Sequence, residues 1–141
     1  MKMTLLLFLS AILSLGSASA AAIPPIEFQN AFGQKFPNAS KASWYEEEKV
    51  GWRVEFLSGG RFVTAKFNDK AEWTKTKTVI KVNRLPKVIK ESISANYTGW
   101  KITKCRMYES KKNGVTYKVV LEKALQAKVV EYREDGFCLY K

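Results

Sequence analysis

The chain has 141 residues, with 24 Lys or Arg against 13 Asp or Glu, no histidine and two cysteines, for a formal charge of +11. Without imidazole, the commonest general base, the commonest zinc ligand and every hydrolase triad built on histidine are excluded. Two separated cysteines without CxxC spacing make neither a structural zinc site nor a thioredoxin-like redox motif.

The first residues read as a targeting segment. Lys2 supplies the basic start, Leu5 to Leu15 an apolar run, and Ala18-Ser19-Ala20 an A-x-A cleavage signal. The run is shorter than the about 20 residues of a membrane span. The expectation is a signal peptide over 1–20, cut after Ala20 or Ala22, and a periplasmic or secreted product with no membrane span. Removing the first 20 of 141 residues leaves 121, a length that buries roughly two-thirds of its unfolded surface without help from metal or disulfide.

Pro24-Pro25 opens a short helix, since proline's missing N–H costs nothing in the first turn. Phe28, Phe32 and Phe36 form one apolar stripe at four-residue steps, and Pro37 ends the helix. The period then changes to two. Ala42 and Trp44 mark a first strand, Glu46-Glu47-Glu48 a charged turn, and Trp52, Val54 and Phe56 a second strand. Ser58-Gly59-Gly60 supplies a hairpin turn, followed by Val63, Ala65 and Phe67. Asn68 to Ala71 turns again, and 73–80 is a threonine-rich fourth strand. After the short stretch 81–85, too short to let two halves move freely, the plan recurs. A helix runs from about Pro86 to Asn96 or Tyr97, then strands at 102–109, around Tyr117, Val119 and Leu121, around Val130 and Tyr132, and a short last strand. Lys111 to Gly114 and Glu134-Asp135-Gly136 provide the turns.

These parallels form an internal repeat. Phe28, Phe32 and Phe36 answer to Ile89, Ile93 and Tyr97 at a spacing of 61, and Trp52-x-Val54-x-Phe56 answers to Tyr117-x-Val119-x-Leu121 at 65. Neither half could hide its apolar face easily alone, so one shared domain over 21–141, built of repeats at about 24–82 and 83–141, is expected. Trp52, Phe56, Phe67, Trp73, Tyr117 and Tyr132 are the expected helix-facing core. Cys105 and Cys138 fall on strands three steps apart, some 14 Å at about 4.8 Å per step. A disulfide needs less than about 7 Å, so two free, mostly buried thiols are expected.

No residue set supports catalysis, and neither a cofactor nor a metal site is expected. Glu46-Glu47-Glu48 lacks a calcium-loop pattern, and Gly59-Gly60 is a turn, not a phosphate loop. The basic residues are dispersed at alternate positions, Lys66, Lys75, Lys77 and Lys118 among them, as on solvated strand faces. That distribution argues against nucleic acid as the partner.

Phe36-Pro37-Asn38-Ala39, Trp44, Trp52-x-Val54-x-Phe56, Ala65-Lys66-Phe67-Asn68 and Trp73 together resemble one module of the PepSY-like family, and the second half supplies a fainter copy. Ala71 stands where that family usually has glycine, and Cys138 where it has tryptophan. The resemblance implies an α+β fold like that of the beta-lactamase inhibitor protein: a tandem repeat of helix plus four-stranded antiparallel meander, helices on one face of a shared curved sheet. It also implies an exported, non-enzymatic bacterial protein, though not inhibition of beta-lactamase, whose contact residues are not matched.

The leading expectation is a protein-interaction or inhibitor-like module of the envelope that binds another envelope protein through the helix-free sheet face. Its candidate residues are Phe62, Lys66, Arg106, Tyr108, Lys118, Val120, Arg133 and Phe137, aromatics and arginine being enriched at protein interfaces. Parity from Trp73 adds Thr74 and Thr76 to that face. The alternative is charge-driven capture of an anionic polymer or lipid headgroup.

Overall fold

Pro25 and Pro86 each precede a ten-residue helix, α1 (Ile26–Lys35) and α2 (Lys87–Asn96). Their carbonyls accept the first helical N–H groups, from Phe28 at 3.1 Å and Ile89 at 3.0 Å. α1 stops one residue before Phe36, and α2 ends at Asn96, one of its two expected ends. Phe36 and Tyr97 leave helical geometry at φ −130°, while their N–H groups still donate to Phe32 and Ile93 at 2.8 Å. The computed structural model describes residues 21–140; the expected signal segment at 1–20 lies outside them.

Four strands follow each helix: β1 (Ser40–Glu47), β2 (Gly51–Ser58), β3 (Arg61–Asn68) and β4 (Trp73–Ile80), then β5 (Lys101–Ser110), β6 (Gly114–Lys123), β7 (Gln126–Arg133) and β8 (Cys138–Tyr140). They pair antiparallel in chain order as one eight-stranded sheet, with β4 hydrogen-bonded directly to β5 across the middle. The turns within β1–β4 and within β5–β8 are short, as antiparallel pairing allows, whereas α2 lies in the connection from β4 to β5. Gly51 is required where β1 turns into β2. Its φ is +133°, and a Cβ there would stand 2.1 Å from the Phe67 carbonyl oxygen.

Side chains that face each other across the ladders define two sides. One row runs Phe56, Val63, Thr78, Met107, Tyr117, Tyr132 and Cys138 from β2 to β8. Both helices pack over this side. Phe28, Phe32 and Phe36 meet Trp44, Trp52, Val54, Phe56 and Phe67, while Ile89 and Ile93 meet Ile80, Cys105, Tyr117, Leu121, Val130 and Tyr132. The aromatic contacts are edge-on or tilted, as ring quadrupoles prefer: Phe32 lies 5.0 Å from Phe56 and 5.2 Å from Trp44. Trp52, Phe56, Phe67, Tyr117 and Tyr132 are buried as expected, and Trp73 is half-buried beneath the Lys35 ammonium, 3.9 Å from its ring. Cys105 is buried, Cys138 half-buried, and both thiols are free.

Two expectations need correction. Thr76 does not lie on the helix-free side: it is buried on the helix side, where its hydroxyl accepts a hydrogen bond from the Trp73 indole at 2.8 Å. The register slips between Lys66 and Phe67, which pair with Lys75 and Trp73, so Thr74 is the extra residue of a bulge. Its hydroxyl donates to the Lys66 carbonyl at 3.1 Å. Past that bulge the alternation inverts, and Lys75, Lys77 and Val79 take the helix-free side. Second, Glu46 and Glu47 are not turn residues but the end of β1; only 48–50 turn.

Candidate binding face

The helix-free side carries polar and charged residues in cross-strand rows. One row is Tyr45, Arg53, Lys66, Lys75 and Ser110; the next is Glu55, Thr64, Lys77, Tyr108, Thr116 and Arg133. A third joins Val79, Arg106, Lys118, Glu131 and Tyr140, with the Leu57–Phe62 pair continuing it onto β2 and β3. Val120 pairs with Lys104 and Val129 in a fourth. All the strand residues expected on this face therefore share it, Thr74 and Thr76 excepted.

They do not form one spot. Phe62 on β3 and Phe137 beside β8 are five strand steps apart, about 24 Å along the sheet. Phe62 is the most open aromatic of the strands, 72% exposed. Phe137 sits in the turn into β8 and packs beside Arg133, whose guanidinium is 5.3 Å from its ring. That arginine also bridges to Asp135, whose carboxyl is held below the usual carboxylate range by the Phe137 backbone N–H and by Arg133 itself. This end is an ordered corner whose arginine is already engaged.

The centre is different. A shallow groove of about 400 Å³ over β2–β5 is lined by Glu47, Arg53, Glu55, Thr64, Lys66, Lys75, Lys77 and Tyr108. Glu47 organises one wall: its two carboxylate oxygens take the Lys66 ammonium at 2.8 and 2.9 Å, and one lies 3.4 Å from Arg53 Nε. Arg53 also bridges to Glu55 and stacks on Tyr45 at 4.2 Å. Lys75 and Lys77, in contrast, have no acidic partner among the described residues. Lys75 stands directly opposite Lys66, a like-charge pairing that costs stability in a sheet. Lys118 pairs loosely with Glu131 at 3.9 Å and lies 5.0 Å from the Tyr108 ring.

Alternation along β2 and β3 puts Arg53, Glu55 and Thr64 on this side with the expected Lys66 and Tyr108, but sequence reading missed the other three members of this groove. Lys75 and Lys77 were hidden by the bulge, and Glu47 by its placement in a turn. A signal for the first two was present: lysine is far costlier to bury than threonine, so β4 read from Lys75 and Lys77 rather than from Trp73 gives the observed side.

Residues 50–136 match the PepSY-like family, provisionally described as beta-lactamase-inhibitor-like. The chain belongs to the PepSY-like family. The fold of this PepSY-like protein is also that of solved structures. A BLIP-like protein from Bacteroides fragilis superposes with a TM-score of 0.76 at 20% identity, over 84% of this chain and 85% of that one. A DUF2874 family protein from Bacteroides uniformis gives 0.74 at 18% identity over 83% and 87%. A protein from Bacteroides eggerthii, provisionally periplasmic, gives 0.73 at 15% identity over 84% and 87%. No curated protein matches the chain. Among the described residues, no group of three or more His, Cys, Asp or Glu is placed to hold a metal ion, and no helix is long and apolar enough to cross a membrane.

Proposed function

We propose that this PepSY-like protein is an exported, non-enzymatic protein-binding module of the bacterial envelope that uses the helix-free side of its sheet. The observation that carries the reading is the asymmetry of the sheet. One side is covered by both helices; the other is bare and carries Phe62, Tyr108 and Val120 among Arg106, Lys118 and partner-less lysines. Aromatic anchors within a polar surround are the composition of protein interfaces. Export rests on the A-x-A signal after an apolar run, and a provisionally periplasmic neighbour of the same fold supports it.

The face is built, in this reading, from two copies of one unit, at about 24–82 and 83–141. Matching details support the duplication: proline before each helix, the same cap geometry at Phe36 and Tyr97, and register slips at Lys66/Phe67 and at Glu131/Tyr132. β5 and β6 have ten residues each where β1 and β2 have eight, which accounts for the spacing growing from 61 to 65.

The test is affinity capture from envelope extract with the purified protein and with Phe62→Ala/Tyr108→Ala. Capture of a defined protein that the double variant loses, at an unchanged melting temperature, is the expected result. Equal capture by both proteins would dispose of the face, and a variant that fails to fold would place these rings in the core. Capture that vanishes at moderate salt with no effect of the aromatic changes would favour charge-driven binding of an anionic polymer or lipid headgroup.

A further inference from the structure

We infer that the central groove receives an extended acidic segment of a partner protein, with carboxylates at alternate positions and an apolar side chain at the next alternate position. This rests on the reading of the bare face as a protein-binding surface and names the chemistry of what it binds.

The spacing is the first argument. Lys75, Lys77 and Val79 recur at two-residue steps on one side of β4, each step about 6.6 Å. An extended ligand laid along β4 repeats its same-side groups at that interval, so two carboxylates two residues apart meet two ammonium groups in register. Charge is the second. The groove's two carboxylates, Glu47 and Glu55, are engaged by Lys66 and Arg53, whereas Lys75 and Lys77 are not engaged by any acidic group among the described residues. Lys66 faces Lys75 directly but is already matched by Glu47, so the unbalanced charge of the groove is that of Lys75 and Lys77. Tyr108, directly opposite Lys77, offers a phenol that can donate to the same anion.

The third argument is what lies beyond the lysines. A second depression of about 350 Å³ continues along β3 and β4 and is lined by Phe62 and Val79 together with Arg61, Lys81 and Arg84, and by no carboxylate. Val79 is 49% exposed. An apolar floor rimmed by cations, entered from a cationic groove, suits an acidic segment that ends on a hydrophobic residue. A uniform polyanion has no use for the floor.

The probe is a blocked heptapeptide with glutamate at its second and fourth positions, phenylalanine at its sixth and serine elsewhere, titrated by fluorescence anisotropy and by amide chemical-shift mapping. Wild-type protein is expected to bind it, with shifts over β3–β5. Lys75→Ser/Lys77→Ser should weaken binding about tenfold or more and Phe62→Ala about fivefold. Lys87→Ser/Lys90→Ser, which removes the same charge from α2, should change it less than about twofold. A peptide of identical composition with adjacent glutamates should bind about tenfold more weakly. Equal binding of the two peptides, or equal loss in the α2 variant, refutes the inference. So does tighter binding to phosphatidylglycerol vesicles that depends on Lys75 and Lys77, which would make the ligand a membrane surface. A wild-type protein that ignores the peptide while Phe62→Ala/Tyr108→Ala still loses its envelope partner removes this inference and leaves the face intact. If shifts appear only over α1 and α2, both readings fall.

Discussion

Phe56 and Phe62 sit on neighbouring strands six residues apart, and the fold assigns them opposite fates. Phe56 is 2% exposed and its ring lies 5.0 Å from Phe32 and 4.8 Å from Phe36, so it joins β2 to the last turn of α1 and to the residue that follows the helix. Truncating such a ring to alanine removes its transfer free energy and leaves a cavity that rigid strands cannot close, costing about 3–5 kcal/mol. The two aromatic contacts, worth about 0.5–1.5 kcal/mol each, fall within that figure. Against a total stability of about 5–15 kcal/mol, Phe56→Ala consumes a large fraction. It should lower the melting temperature by about 12–20 °C at about 4 °C per kcal/mol for a domain of this size. Phe62→Ala, on the bare face, should stay within about 0.5 kcal/mol of the parent. Urea denaturation followed by tryptophan fluorescence reads both, since Trp44 and Trp52 line the same core. A Phe56→Ala loss below about 1 kcal/mol, or a Phe62→Ala loss above about 2 kcal/mol, would refute the assignment of sides on which the binding proposal depends.

Ala71 adopts φ +57°, a left-handed geometry that costs a β-carbon about 1–2 kcal/mol. Ala71→Gly should therefore stabilise the protein by about 0.5–1 kcal/mol after glycine's extra chain entropy is deducted; a lower urea midpoint would contradict the strained turn. Thiol titration of denatured, unreduced protein should find both cysteines, whereas in the native state Cys138 should react first and Cys105, whose thiol is buried and pushed up by desolvation, only as the core opens. Detection of no free thiol would overturn the strand order that separates them. Burial pushes the Tyr117 and Tyr132 phenols above their ordinary value near 10, and the nearby Glu134 carboxylate adds to the effect at Tyr117. A raised phenol favours the folded state while it is protonated, so this contribution is complete below about pH 10 and is lost as pH rises from there through the folded values. Stability against urea should fall from about pH 10 upward; a midpoint unchanged at pH 11 would mean the phenols are not buried.

Element order was legible because local rules agree along the chain. Proline placed the helix starts, the four-residue steps of Phe28, Phe32 and Phe36 gave a helical stripe, and alternation gave strands around Trp52 and Tyr117. The buried aromatics followed from the same alternation, and so did the separation of Cys105 from Cys138, since a meander of short turns leaves no other order. Periodicity failed where the ladder itself is irregular. A bulge adds one residue to one strand, and no local pattern at Trp73-Thr74-Lys75 records what the neighbouring strand does. Parity carried forward from Trp73 therefore buried the wrong half of β4.

Which side of the sheet stays bare, and what gathers there, belongs to the tertiary structure. Lys66, Lys75 and Lys77 are eleven positions apart at most, yet only the β3–β4 register sets two of them face to face. Glu47 reaches Lys66 across β2, a contact nineteen positions apart that no window reading contains. Composition by itself determined that imidazole and CxxC chemistry are absent and that the surface is cationic. The pairing of strands decided where that charge is neutralised and where it is left waiting, because Coulomb attraction depends on distances that only the folded ladder sets.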